Sequence, residues 1–146
     1  MKDDEIFSNF IETRYNYDLT RMHRIVSQSK VQISIIFTVY AGFISYNFDI
    51  ENPIKITYLI SVVFLSIFVL FSAKIVFMNN TENIKTSSKL LKEIENEKTN
   101  GFSLLKSINI VMIKALDEIS VEIKKLNKEN VLMILFGMLM VLFMAF

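Results

Sequence analysis

The stretch VLMILFGMLMVLFMAF, Val131 to Phe146, decides the fold, because none of its sixteen residues is charged or polar. A soluble protein would have to bury this whole stretch, whereas a membrane protein can leave it in lipid. As a helix it spans about 24 Å, slightly less than the roughly 30 Å hydrocarbon core of a bilayer. Local thinning of the bilayer, or inclusion of Asn130 with Lys128 reaching the interface, covers the difference. We therefore predict a membrane-spanning helix over 131–146.

Two further apolar stretches have the length of a membrane span. Residues 31–48 carry no formal charge, and residues 56–78 carry one, Lys74, near their end. Burial in a soluble core is the alternative for each stretch, but three such stretches in a chain of 146 residues favour the membrane. We predict an external turn over 49–55, since Pro53 disfavours helix at the residue before it.

The composition favours long helices and excludes several kinds of chemistry. Gly (3) and Pro (1) are scarce, so tight turns must be few. Cys is absent and His23 is the single histidine, which excludes disulfides, thiol nucleophiles and a multi-histidine metal site within one chain. No phosphate-binding loop or nucleophile–base pair occurs, so we expect neither enzyme activity nor a cofactor. A net charge of +1 argues against binding to a nucleic acid duplex as the function.

Basic residues flank the first two apolar stretches on one side, and the turn between them begins with acidic residues. The flanking basic residues are Arg14, Arg21, Arg24, Lys30, Lys74, Lys85, Lys89 and Lys92. The positive-inside rule then places the N-terminus and residues 79–130 in the cytosol, with the 49–55 turn and the C-terminus outside. The first ten residues are acidic and lack the pattern of a secretory signal, which agrees with a cytosolic N-terminus.

Two cytosolic helices are predicted to continue into the spans. Residues 1–30 show apolar residues at spacings of three and four, and no Gly or Pro separates them from the first span. Residues 79–100 are polar, with a break at 99–101. A second apolar seam then runs at spacings of 4 and 3 into the last span. Its positions are Met112, Leu116, Ile119, Ile123, Leu126, Asn130 and Met133. This seam is either a surface for assembling several copies or a face that packs against the N-terminal helix.

The fold class predicted from these features is an all-α membrane protein in a single membrane domain. It has three transmembrane helices, and its cytosolic helical extensions form a stalk. One copy of three spans does not easily enclose a channel, so any pore requires a homo-oligomer.

The stretch RMHRIVSQSK, residues 21–30, is the most basic part of the predicted cytosolic helix. One interpretation is membrane anchoring with contact to anionic lipid headgroups. The other is an anion or phosphate site in the stalk, since guanidinium groups bind phosphate through paired hydrogen bonds. The candidate ligand-binding residues are Arg14, Arg21, His23, Arg24 and Lys30.

Small and hydroxyl-bearing residues form a stripe on the first predicted span. Ser34, Thr38, Ala41 and Ser45 recur at spacings of 4, 3 and 4. Small residues allow close packing of membrane helices, which is the first interpretation. The second is a pore-lining face in an oligomer, with Ser34, Thr38 and Ser45 as candidate lining residues. Lys74 can extend its long side chain to the cytosolic interface (snorkelling), and it would contribute to ion selectivity only if it faced water.

The order of these parts resembles the small membrane effectors of bacterial anti-phage signalling, in particular the Pycsar-type family and more loosely the SLATT group. The stretch SQSKVQISIIFTVYAGF, residues 27–43, is similar to that family's approach to its first span, with Lys30 before the span and Ala41-Gly42 within it. The stretch KKLNKEN, residues 124–130, is similar to the helix that leads into its last span.

This resemblance implies a homo-oligomer in the bacterial inner membrane. A partner nucleotidyltransferase or cyclase would make a nucleotide second messenger that binds the cytosolic helices. The membrane would then be permeabilised and growth would stop. The alternative function, from a different class, is a non-conducting interaction protein, such as a toxin immunity protein or a scaffold subunit.

Overall fold

The computed structural model describes residues 2–47, 55–78 and 87–146, and almost all of them are helical. No β-strand occurs within these ranges. Four α-helices and one π-helical turn follow in chain order: α1 (Lys2–Asn47), α2 (Ile56–Ala73), the π-helical turn (Lys74–Met78), α3 (Ser87–Thr99) and α4 (Leu104–Ala145). The all-α class predicted from the sequence is confirmed.

Helix α1 is uninterrupted because its sequence holds no proline and no glycine before Gly42. Its first turn carries Asp3, Asp4 and Glu5, whose negative charges stabilise the positive end of the helix dipole. Of the predicted 49–55 turn, only Lys55 lies within the described residues. It has extended backbone angles, with φ −73° and ψ 144°, immediately before α2. Residues 79–86 of the predicted cytosolic segment also lie outside the described residues.

The junction between α3 and α4 lies where the sequence predicted a break. Gly101 has φ +90°, a conformation that costs glycine little and other residues more. Its N–H donates to the carbonyl of Lys98, which satisfies one of the last carbonyls of α3. The hydroxyl of Ser103 then accepts the N–H of Lys106 at 3.4 Å and caps the first turn of α4.

Two helices within the described residues are long and apolar enough to cross a membrane. They are Ile56–Phe77 and Leu104–Ala145, the second of which has 42 residues. The 31–48 stretch is helical as far as Asn47 but is not one of these two helices. Gln32, the serines and Asn47 lower its hydropathy, and Phe48 lies outside the described residues. A third span therefore stays a prediction.

The chain divides into two units, and α1 and α4 each contribute to both. Unit 1 consists of Met1–Arg24 and Asn80–Lys125, and unit 2 consists of Ile25–Asn79 and Leu126–Phe146. Buried apolar residues of unit 1 come from α1 and α4: Ile11, Tyr15, Met22, Val111, Ala115, Ile119 and Ile123. Those of unit 2 come from α1, α2, the π-helical turn and α4: Val26, Tyr40, Phe68, Ile75, Leu126, Met133, Met140 and Met144.

The apolar seam predicted on α4 is buried within the chain itself along most of its length. Ile119, Ile123, Leu126 and Met133 are buried, as the seam required. Nearer the start of α4 the buried face is one residue earlier than predicted, because Val111 and Ala115 are buried where Met112 and Leu116 are only half-buried. The buried residues there recur every four positions, a longer spacing than the 3.5-residue average of a heptad repeat.

Candidate functional site

Polar side chains connect the three helical segments of unit 2 at several levels. One of these levels, which we call the polar layer, consists of Ser29 on α1, Lys74 at the start of the π-helical turn, and Glu129 and Asn130 on α4. The layer lies where the polar part of α4 gives way to its final apolar stretch. It therefore occupies the end of the bundle at which the predicted third span begins.

Ser29 joins α1 to α4 in this layer. Its hydroxyl oxygen is buried and lies 2.8 Å from both the Ile25 carbonyl oxygen and the Asn130 side-chain oxygen. A hydroxyl has a single proton, and the two ends of an amide are assigned from the hydrogen-bond network. Both contacts are satisfied when Ser29 donates to Ile25 and the Asn130 amide, turned by half a rotation, donates to Ser29.

Lys74 and Glu129 join α2 to α4. The Lys74 ammonium lies 2.9 Å from Glu129 Oε1, and the Glu129 side chain is only 6% exposed, whereas that of Lys74 is 44% exposed. A buried carboxylate needs a paired charge because desolvation otherwise disfavours its ionised form. Lys74 begins the π-helical turn, an irregularity that is frequent at functional sites.

Two buried polar atoms close to this layer in sequence have no hydrogen-bond partner among the described residues. They are Gln32 Oε1, three residues after Ser29, and Ser72 Oγ, two residues before Lys74. Buried polar atoms are almost always paired in folded proteins. The polar layer is therefore flanked on α1 and α2 by groups that the observed packing does not satisfy.

A second polar contact lies deeper in unit 2, on the buried sides of α1, α2 and α4. The Ser61 hydroxyl donates to the Met140 carbonyl at 2.9 Å, and the Tyr40 hydroxyl lies 3.3 Å from the same serine oxygen. At the end of α1, the Asn47 side-chain amide donates to the Met144 carbonyl at 2.8 Å. Main-chain carbonyls of α4 thus receive side-chain donors from two other helices.

These contacts fix the relative directions of the helices within unit 2. The α1 segment runs parallel to α4, since early residues of one pair with early residues of the other. Helix α2 runs antiparallel to both. The pairs concerned are Ser29–Asn130 and Asn47–Met144 for α1, and Lys74–Glu129 and Ser61–Met140 for α2. An up–down–up arrangement of the three segments follows.

The predicted small-residue stripe lies on the outside of this bundle. Ser34, Thr38, Ala41 and Ser45 are all exposed in the single chain. The three hydroxyls donate to carbonyls four residues earlier in α1, those of Lys30, Ser34 and Ala41. The stripe is consequently not used for packing within the chain, and it remains accessible to water, lipid or a second copy.

The five candidate ligand residues are exposed, and they do not form one cluster. By the roughly 100° turn per residue of an α-helix, Arg14, Arg21 and Arg24 lie within about 80° of one another, whereas His23 and Lys30 lie roughly opposite Arg21. The first three share their face with exposed Tyr17, and the Arg14 guanidinium lies 5.7 Å from the centre of the Tyr17 ring. The same guanidinium lies 3.5 Å from the carboxylate of Asp18.

Sequence reasoning missed the polar layer. It treated Lys74 as a snorkelling residue and did not assign a role to Ser29 or Glu129. A signal was present, since Lys74 is the one charge in its apolar stretch and Glu129 is the last acidic residue before the final stretch. The described residues also contain no group of three or more His, Cys, Asp or Glu side chains placed to hold a metal ion.

Comparisons with protein-family models, with curated proteins and with solved structures found no match to this chain. Function must accordingly be argued from the residues and their geometry.

Proposed function

We propose that this protein is a membrane effector of a bacterial defence system, which assembles into an oligomeric ion channel gated by a nucleotide signal. The proposal combines the resemblance to Pycsar-type effectors with the properties of unit 2. It places three spans in the inner membrane, with the N-terminus in the cytosol and the C-terminus outside.

The exposed hydroxyl stripe of α1 is the observation that carries the proposal. Ser34, Thr38 and Ser45 place three hydroxyls on one outward face, and such a face suits a helix that borders water in an oligomer. The stripe continues towards the cytosolic end through exposed Lys30 and Ser27. Several copies arranged with this face inward would surround a polar path, which a single chain cannot do.

A nucleotide would bind to the exposed arginine face of α1 in unit 1. Arg14, Arg21 and Arg24 offer guanidinium groups for phosphate oxygens, and Tyr17 offers a ring on which a base can stack. A ligand shifts a conformational equilibrium only by its difference in affinity for the two states. Gating therefore requires that this face bind the nucleotide more tightly in the open oligomer than in the closed one.

Ion flux from liposomes tests the conducting part of the proposal. Purified protein is reconstituted, and flux is measured before and after addition of a panel of cyclic and linear nucleotides. We expect one nucleotide to raise the flux of the wild-type protein. Ser34→Phe should reduce that flux because the larger side chain narrows the polar path. Ile35→Phe changes the next residue, which lies outside the stripe, and should leave the flux close to wild type.

Further measurements separate gating, topology and the alternative function. Arg21→Ala with Arg24→Ala should abolish the nucleotide response, while His23→Ala, on another face, should preserve it. A reporter that is active only in the cytosol, fused after Phe146, should be inactive if the proposed topology holds. If liposomes that contain folded and correctly oriented protein stay sealed with every nucleotide, the result would favour a non-conducting immunity protein or scaffold subunit instead.

A further inference from the structure

The polar layer has a geometry that would control the position of α4. Consecutive residues of α4, Glu129 and Asn130, are bonded to two different helices, the first to Lys74 and the second to Ser29. A displacement of this turn of α4 would break a charge pair and a hydrogen bond together. The layer therefore resists displacement of α4 relative to α1 and α2.

Burial of the Glu129 carboxylate favours the arrangement in which it is paired with Lys74. Its carboxylate is almost fully enclosed, so loss of the Lys74 charge is costly unless water or another polar group compensates for it. Lys74, by contrast, is nearly half exposed and can be solvated without leaving its helix. Admission of water to the layer would therefore stabilise an arrangement in which the pair is parted.

The surroundings of the layer favour a rearrangement at this place. Gln32 Oε1 and Ser72 Oγ are buried and without hydrogen-bond partners among the described residues, so admission of water would satisfy them. The π-helical turn that begins at Lys74 is a further local irregularity at this place.

We propose that the Lys74–Glu129 pair is a latch that holds the channel closed, and that opening parts it and hydrates the polar layer. The inference rests on the proposed function and adds the device by which the membrane unit stays shut. Ser29 in the same layer lies five residues before Ser34, so the latch is at the cytosolic end of the hydroxyl stripe.

Charge-altering variants of the full chain in liposomes test the latch. Lys74→Gln and Glu129→Gln should each raise nucleotide-independent flux by at least about tenfold, since each removes the ion pair between residues 74 and 129. The double variant Lys74→Glu with Glu129→Lys restores an opposite-charge pair and should return basal flux close to wild type. Lys55→Gln, at the residue immediately before α2, is the matched control and should leave basal flux unchanged.

A cross-link keeps the test decisive if the single variants fold poorly. The chain has no cysteine, so Lys74→Cys with Glu129→Cys provides a unique pair for a short, reducible dithiol-specific linker. Linked protein should lose nucleotide-evoked flux and regain it after reduction. Evoked flux that persists in fully linked protein would overturn the latch.

The outcomes distinguish this inference from the function on which it rests. A conducting wild-type protein whose Lys74 and Glu129 variants keep wild-type basal flux overturns the latch alone. Leaky single variants that the charge exchange does not rescue also overturn it, because the effect then does not depend on this pair. Wild-type and variant liposomes that all stay sealed overturn the proposed channel and the latch together.

Discussion

Gly137 on α4 lies so close to Phe68 on α2 that a Cβ added to the glycine would stand 2.9 Å from Cε2 of the ring. The same added atom would stand 2.9 Å from Cδ1 of Ile36 on α1. Three helical segments therefore meet where α4 has no side chain. Small residues allow close approach of this kind between membrane helices, where packing rather than expulsion of water supplies much of the attraction.

Replacement of Gly137 by alanine should destabilise unit 2. The new methyl group must displace the Phe68 ring, which is fully buried, or move α4 away from it. We expect the free energy of unfolding to fall by about 1–3 kcal/mol, as for other overpacked cores. Thermal unfolding of the purified protein in detergent, followed by circular dichroism, measures the change.

Gly42 is the matched control for this substitution. A Cβ added there meets nothing within 4 Å, and the residue lies inside α1. Gly42→Ala should raise the free energy of unfolding by about 0.5–1 kcal/mol, because alanine loses less conformational entropy in a helix. Equal effects of the two substitutions would show that Gly137 is not closely packed in solution.

Replacement of Ser61 by alanine should also weaken unit 2. The substitution removes the donor to the Met140 carbonyl and leaves the buried Tyr40 hydroxyl without its neighbour. Hydrogen bonds between membrane helices contribute about 0.6 kcal/mol on average and at most about 1.7 kcal/mol. We expect a loss within that range in the same unfolding measurement. Ser66→Ala should have a smaller effect, because that exposed hydroxyl bonds only to Val62 in its own helix.

The Asn47 side chain should protect the end of α4. The last carbonyls of a helix have no partner within it, and the Asn47 amide donates to one of them, that of Met144. Asn47→Ala should therefore increase hydrogen–deuterium exchange in the final turn of α4, measured by mass spectrometry. Tyr46→Ala, at the exposed neighbouring position, should not increase it. Equal exchange in the two variants would show that the Asn47 side chain does not protect the end of α4.

Gly101 should be needed at the junction of α3 and α4. Its φ of +90° lies in a region that an L side chain rarely adopts. Gly101→Ala should lower the free energy of unfolding by about 1–2 kcal/mol. Gly101→Asn should cost less, since asparagine tolerates left-handed backbone angles better. If both variants unfold with the wild-type midpoint, the junction is not held in this conformation.

The helices themselves could be predicted from sequence with good accuracy. The absence of Gly and Pro predicted continuity from the N-terminal helix into the first span, and α1 indeed runs from Lys2 to Asn47. The break at 99–101 and the continuous final helix were likewise confirmed by Gly101 and by α4. These features are local, because backbone propensity and hydrophobic period act within a few turns.

The polar layer could not be predicted in the same way. Lys74 and Glu129 are far apart in the chain, and each has an adequate local explanation, one as a snorkelling residue and the other as part of a charged helix. Their contact depends on how α2 and α4 align along their lengths. That alignment is set by close packing at Gly137 and by stacked rings, such as Phe64 with Phe143 at 5.5 Å.

The sequence by itself determined that this protein is helical and where its longest apolar stretches lie, since hydrophobic period and helix-breaking residues are local properties of the chain. The tertiary structure alone decided which residues meet: it turned the seam of α4 inward, left the Ser34–Ser45 stripe outside, and paired Lys74 with Glu129. The physical reason is that burial of an unpaired charge or hydroxyl is costly, and partners are brought together by packing across helices.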